Sequence, residues 1–381
     1  MTGRSQTDPS DAKLVTLNIF QDLATPHNNV LIKALKARPD IVVKTWYAYE
    51  TLPGYPQTIC YAHELGRSEI FGGQRPNPKV LRYWLTHPDE KYLLVGWANP
   101  TLGLLVLLSW ALGRDFSYWT DHPKDKNRGR LKEAVHRVFL RILAERARPF
   151  FGVGQPTIEY FAGRGIPREN MVNLPIFVEV PRDLAAVRAG AVATRQKHGV
   201  RTGEVFLVAG SRLLWEKGYD VLIEALAMLE PPWAQQFRLL LVGSGPEEPR
   251  LKALISDRHL ADRCTMVGWL PAAEFMDTIA SADVFVHPAR FDAWGGGTLH
   301  AMALGVPIIG STGAGAANDR VEHGASGLIY QNDDPALLRD CLRQVLENPE
   351  MLKSMGAKAR ETAERWIPAN GAEIVRRTIT R

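Results

Sequence analysis

The chain has 381 residues, too many for one ordinary hydrophobic core, and its 45% hydrophobic and 23% charged residues exclude a fibrous or disordered protein. Its longest apolar run, Leu102 to Leu112, is about half the roughly 20 residues that a membrane span needs. The net charge of +5 is modest and concentrated in residues 1–180, with 23 Lys/Arg against 17 Asp/Glu, and no nucleic-acid partner is expected. Cys60, Cys264 and Cys341 lie far apart without metal-ligand spacing and read as buried thiols of a reducing compartment. The polar start, Met1 to Asp8, has no apolar leader core, so a cytoplasmic location is expected.

In chain order, Lys13 to Ile19 reads as the first strand and Asn29 to Lys36 as the helix after it. Ile41 to Tyr47 is a second strand, followed by a polar, Gly/Pro-rich section to about residue 80. Tyr92 to Trp97 is another strand, and 101–112 a buried helix opened by Pro100 and closed by Gly113. Phe116 to Trp119 is the next strand. Arg130 to Arg146 has helical periodicity through Val135, Val138, Phe139, Ile142 and Leu143. Phe150 to Val153 and Met171 to Leu174 are short closing strands.

Residues 180–200 are charged and helix-like, which sets a domain boundary near Pro181 and domains of 1–180 and 181–381. Strands then recur at Val205 to Gly210, Arg238 to Val242, Cys264 to Val267 and Val284 to His287. Helices 218–229, 248–258 and 272–281 separate them. This alternation predicts an α/β protein with two doubly wound, mostly parallel sheets, whose ligands bind at the carboxyl ends of the strands.

Two stretches carry chemistry. After His287-Pro288 comes Asp292, then Gly295-Gly296-Gly297 and a helix from Thr298 that stops at Gly305-Val306-Pro307. A glycine-rich turn into a helix N-terminus suits a phosphate, because bare backbone allows close approach and the helix dipole favours an anion. Arg212 and Lys217 stand five residues apart in a loop at a strand's carboxyl end and can converge on one diphosphate, as fork and point charge.

These motifs resemble the retaining, group 1 (family 4) glycosyltransferases of the GT-B fold. Gly210 to Asp220 resembles the family's "G-R-L-x-x-x-K-G-x-D" element, and Val242-Gly243-Ser244-Gly245-Pro246 its "V-G-x-G-P" turn. Val267-Gly268-Trp269-Leu270 resembles the "F-x-G" segment before the base pocket. Asp292 to Pro307 resembles the "E-x7-E" region with its "A-M-A-x-G-x-P" tail, with Asp292 at the first acidic position and His300 in place of the second carboxylate. In Gly313 to Tyr330, Asn318 and Asp319 stand where Pro and Glu are usual. The likeness is good from about 205 to 360 and thin before.

The resemblance implies two Rossmann-like domains facing across a cleft, the last helix (about 361–381) returning to the N-terminal domain. It implies transfer of a sugar, with retention and without a metal, from a UDP- or GDP-linked donor to a glycan, lipid-linked or small-molecule acceptor. No further cofactor is expected. Arg212, Lys217, Gly243, Trp269, Leu270, Gly295, Gly296, Gly297, Thr298 and His300 would bind donor, and Asp292 would orient the sugar hydroxyls. His122, after Trp119-Thr120-Asp121, matches a family His near the reacting sugar, with Asp121 beside it. The family's glycine-rich loop after strand one is replaced by Phe20 to Asn29, where His27 and Asn28 are candidate polar contacts. Alternatives on the same fold are a sugar-nucleotide epimerase and a catalytically degenerate nucleotide-sugar-binding protein. Nine cations between Lys124 and Arg148, beside an apolar stripe, also allow peripheral contact with an anionic membrane at its inner face.

Overall fold

The computed structural model describes residues 14–50, 65–66, 68–96, 99–124 and 129–380. Met1 to Asp8, Cys60, Trp97, Asp125, Lys126 and Arg128 lie outside them. Residues 1–177 with 368–381 form one compact unit, and residues 178–367 a second.

The first unit holds seven parallel strands: β1 (Val15–Gln21), β2 (Ile41–Tyr47), β3 (Glu69–Ile70), β4 (Lys91–Val95), β5 (Phe116–Thr120), β6 (Ala147–Gly152) and β7 (Met171–Asn173). Their order is β3-β2-β1-β4-β5-β6-β7, so the winding reverses between β1 and β4. Helices α1 (Pro26–Lys36), α2 (Pro78–Thr86), α3 (Pro100–Ala111), α4 (Arg130–Arg146) and α5 (Gly154–Ala162) connect them.

Three of these helices start on one device. Thr25, Asn77 and Asn99 each turn a side-chain oxygen to the first-turn N–H groups, and a proline follows at the first helical position. That start signal at Asn77-Pro78 opens α2 at the end of the polar, Gly/Pro-rich section, where no helix is assigned from sequence. Its apolar face, Val80 and Trp84, is too short to show a period among the neighbouring glycines and prolines.

α3 corrects a second expectation. Leu102, Leu105 and Val106 are buried, whereas Leu107, Trp110 and Leu112 are exposed, so only one face of this apolar helix meets the core. α4 likewise buries Phe139, Leu140, Ile142 and Leu143 but leaves Val135 and Val138 outside.

The second unit holds six parallel strands: β8 (Val205–Gly210), β9 (Phe237–Val242), β10 (Cys264–Gly268), β11 (Val284–His287), β12 (Ile308–Ser311) and β13 (Gly327–Tyr330). In the order β10-β9-β8-β11-β12-β13, the reversal falls between β8 and β11. The short helices α6 (Leu184–Arg188) and α7 (Ala191–Lys197) precede it. α8 (Tyr219–Ala227), α9 (Glu248–Asp257), α10 (Ala272–Ser281), α11 (Gly296–Ala303), α12 (Gly315–Arg320), α13 (Pro335–Glu347) and α14 (Met351–Arg365) follow.

Successive side chains of β8 feed opposite cores, as the strand period requires. Val205, Leu207 and Ala209 join α8, α9 and α13 on one face; Phe206 and Val208 join α10, α11 and α14 on the other. Burial pushes the Cys264 thiol up to about 12 and the Cys341 thiol to about 11, so neither is a reactive nucleophile.

Pro368 prevents α14 from running on, and the last helix, α15 (Pro368–Ile379), starts there rather than at 361. It packs on α1 in the first unit, with Arg376 and Arg38 both bound to Asp40. A Cβ at Gly371 would lie 2.5 Å from the Phe177 ring and 2.9 Å from Leu31. Gly371→Val should therefore destabilise the protein by about 1–3 kcal/mol in urea titrations, and an unchanged midpoint would contradict this close seating.

Candidate functional site

The site grows from the winding reversal of the second sheet. Because β8 and β11 are neighbours whose connections leave in opposite directions, the loops after them open a crevice at their carboxyl ends. The β8 loop carries Arg212 and Lys217; the β11 loop carries Asp292, Trp294 and the three glycines.

Lys217 Nζ lies 2.7 Å from Asp292 Oδ2, with the two side chains only 11% and 14% exposed. His287, the last residue of β11, reaches the same carboxylate oxygen through Nε2 at 3.0 Å. Its other nitrogen, Nδ1, is 2.8 Å from the hydroxyl of Thr298 in the first turn of α11. One chain of contacts thus runs from Lys217 through Asp292 and His287 to the helix N-terminus. Burial raises the Asp292 carboxyl, but the hydrogen bond and charge of His287 and the ammonium of Lys217 outweigh it and hold the group far below its usual range.

Glycine is obligatory at one point of this turn. Gly295 has φ of +97°, and a Cβ there would stand 2.1 Å from the His287 ring. The backbone is sewn down from the far side by α12, whose Gly315 and Ala316 N–H groups donate to the carbonyls of Asp292 and Trp294. Gly296, Gly297 and Thr298 then open α11, whose dipole favours an anion at this end.

The neighbouring loops join the rim. Leu213 N–H donates to Ser244 O, and Gly243 N–H donates to Gly268 O at 2.7 Å. A Cβ on Gly243 would meet Ser211 O at 1.9 Å, so this glycine lets two turns touch. Arg212, Gly243, Trp269 and Leu270 therefore stand on contiguous loops, with Arg212 and Trp269 exposed. Asp220, from the same motif as Lys217, serves the scaffold instead. It binds Arg290 at 2.8 Å and Arg250 at 2.8 Å, pinning the base of the β11 loop. His300 follows one turn into α11 and is half-buried.

His122 belongs to the first unit, after β5, with Nδ1 2.9 Å from Pro123 O and its ring packed on Tyr160. At that sheet's own winding reversal, Asn28 donates to Gln21 at 2.8 Å. Burial raises the Asp22 carboxyl and lowers His27.

Three members of these sites are not apparent from sequence. His287 reads there only as a strand end, and its place five residues before Asp292 is the available hint. Trp294 is buried in the turn, and Asp22 gives no local signal beyond closing a strand. Among the described residues no cluster of three or more His, Cys, Asp or Glu is placed to hold a metal.

Two parallel sheets, each with its own winding reversal, define the fold of the GT-B glycosyltransferases. The structure of HepE from Anabaena in complex with UDP superposes with a TM-score of 0.74 at 21% identity, covering 96% of this chain and 100% of that one. Residues 192–362 match the family Glycosyl transferases group 1. A similar relative is the GDP-mannose-dependent monoacylated alpha-(1-6)-phosphatidylinositol monomannoside mannosyltransferase of Corynebacterium glutamicum, 33% identical over 56% of each chain. The GDP-mannose-dependent alpha-(1-6)-phosphatidylinositol monomannoside mannosyltransferase of Mycolicibacterium smegmatis is 30% identical over 61% of this chain and 62% of its own. The chain spans about half the length of the curated relatives it matches.

The buried carboxylate sets an acid limit on stability. Because its folded-state value lies below the ordinary 3.8, ionised Asp292 stabilises the fold above that pH, and the contribution is lost as pH falls below it. Asp292→Asn, which strands Lys217, should cost about 3–5 kcal/mol at neutral pH, and the gap to wild type should shrink on acidification. Urea titrations across pH check this; a constant gap would mean that Asp292 is not held as an ion.

Proposed function

We propose that the chain is a glycosyltransferase that moves a sugar from a UDP- or GDP-linked donor to a glycan, lipid-linked or small-molecule acceptor, with retention and without a metal. The observation that carries this reading is the convergence of Lys217, Asp292 and the α11 N-terminus at the β8–β11 reversal, inside the family-matched segment. Relatives named for GDP-mannose dependence and a structural neighbour holding UDP support a nucleotide-sugar donor.

In this reading the bond from the anomeric carbon to the diphosphate breaks while the acceptor oxygen bonds to that carbon from the same face. The acceptor proton passes to the departing diphosphate. Arg212, Lys217 and the N–H groups of Gly296 to Thr298 neutralise the negative charge that develops there, which is the role a metal would otherwise fill. Asp292 orients donor hydroxyls and at the same time fixes the Lys217 ammonium. Gly243, Trp269, Leu270 and Gly295 shape the nucleotide side. His122, in the first domain, contacts sugar or acceptor hydroxyls. We place the protein in the cytoplasm, in peripheral contact with the membrane.

Lys217→Ala is an ambiguous test, because it also leaves a buried carboxylate without its cation. Arg212, exposed in its loop, is the clean one. Arg212→Ala should weaken UDP or GDP binding about tenfold or more by calorimetry, with unfolding unchanged and EDTA without effect. Unaltered affinity would remove the diphosphate from this loop.

His300 stands where the family has a carboxylate that accepts from the ribose. A neutral imidazole accepts through one nitrogen, a carboxylate through two oxygens. His300→Glu should hold or tighten UDP or GDP binding, whereas His300→Ala should weaken it. A Glu variant that binds much worse would give residue 300 a different role.

A further inference from the structure

α4 has two apolar faces, and only one is used by the core. Its buried side chains are His136, Phe139, Leu140, Ile142 and Leu143, so the outer apolar face is confined to the helix ahead of Ile142. On the outside, Leu131 is 80% exposed and Val135 and Val138 are each 57% exposed. The spacing of four and three residues puts these three in one file along the helix. Arg130, Arg137 and Arg141, at the same period, form a parallel file beside them, and all three are exposed. On the neighbouring α3, Leu107 and Trp110 also point outward, Trp110 48% exposed. Glu145 joins the two helices at this surface: it accepts from Trp110 Nε1 at 2.8 Å and from Arg141 Nε at 3.0 Å.

A file of large apolar side chains in water, with no hydrogen-bonding group among them, marks an interaction surface. Its charge identifies the partner. Arg130, Lys132, Arg137 and Arg141 are exposed on α4, against the carboxylates Glu133, exposed, and Glu145, half-buried and bound to Arg141. Apolar residues flanked by cations, with a tryptophan at the edge, match a surface of acyl chains below anionic headgroups.

We propose that the outer faces of α3 and α4 dock on an anionic lipid bilayer, with Leu131, Val135, Val138 and Trp110 entering the headgroup layer and the arginines facing lipid phosphates. This deepens the peripheral-membrane part of the proposed function, and does not depend on turnover at the donor site. Among the described residues no helix is long and apolar enough to cross a membrane.

The full chain, mixed at low salt with phosphatidylglycerol–phosphatidylcholine vesicles, should sediment with them, and salt should release it. Vesicles of phosphatidylcholine alone should leave it in solution. Leu131→Gln with Val135→Gln and Val138→Gln should lower the partition about tenfold or more, and so should Arg130→Gln with Arg137→Gln, which also flattens the salt dependence. These are exposed positions, so UDP or GDP binding should persist in both variants; that titration, with Arg212→Ala, tests the donor reading separately. No sedimentation at low salt, or partition unchanged in both variants, overturns the proposal. So does self-association in velocity sedimentation that the triple variant abolishes, which would assign the face to a second copy of the chain.

Discussion

A lysine ammonium and an aspartate carboxylate 2.7 Å apart, nearly out of water, order the loops at the carboxyl ends of β8 and β11 in the second unit. Neither would be tolerated there alone, since a buried charge without its partner is among the most destabilising features a fold can carry. Their pairing ties the loop after β8 to the loop after β11, the two loops that the winding reversal brings side by side. His287 makes the arrangement directional. By binding the carboxylate with one nitrogen and reaching the Thr298 hydroxyl with the other, it couples the ion pair to the first turn of α11. The positions of the cation and the helix N-terminus are therefore fixed together.

The glycines are explained largely by this packing. Gly295 has room only for hydrogen beside His287, and Gly243 only for hydrogen beside Ser211 O. Bare backbone for a phosphate and bare backbone for a close-packed turn are the same local requirement, so one residue type meets both. That is why a glycine-rich turn read from sequence speaks for the geometry of a site sooner than for its chemistry.

Much of the fold is legible because buried parallel strands are continuous apolar runs. Val205 to Gly210 and Ile41 to Tyr47 stand as read, and so does the helix Arg130 to Arg146, from its period. The differences have physical causes. α2 is short and lies in a glycine- and proline-rich neighbourhood; α3 is uniformly apolar, so its sequence has no period to show which side faces water. In α4 the period is visible, but Val135 and Val138 read as part of the buried stripe when they belong to an outer file beginning at Leu131. At the site, Lys217 and Asp292 are legible as motif positions. Their mutual pairing is not, because they stand 75 positions apart in the chain. Nor is His287, whose significance exists only once β11 ends against the α11 turn.

The far end of α11 completes the electrostatics. A helix whose positive end faces an anion leaves its last carbonyls negative, and these need donors. Arg188 supplies bonds to Leu304 O at 2.7 Å and Gly305 O at 3.0 Å, and Arg360 donates to Ala303 O at 2.8 Å. Two guanidinium groups so close disfavour each other: burial, then the charge of Arg360, lowers Arg188. Both remain because the carbonyls of α11 converge there. The helix is held at one end by a hydroxyl–imidazole–carboxylate–ammonium chain and at the other by two arginines. An anion at its N-terminus would meet donors whose positions are already set, and so would need little rearrangement of the protein on binding.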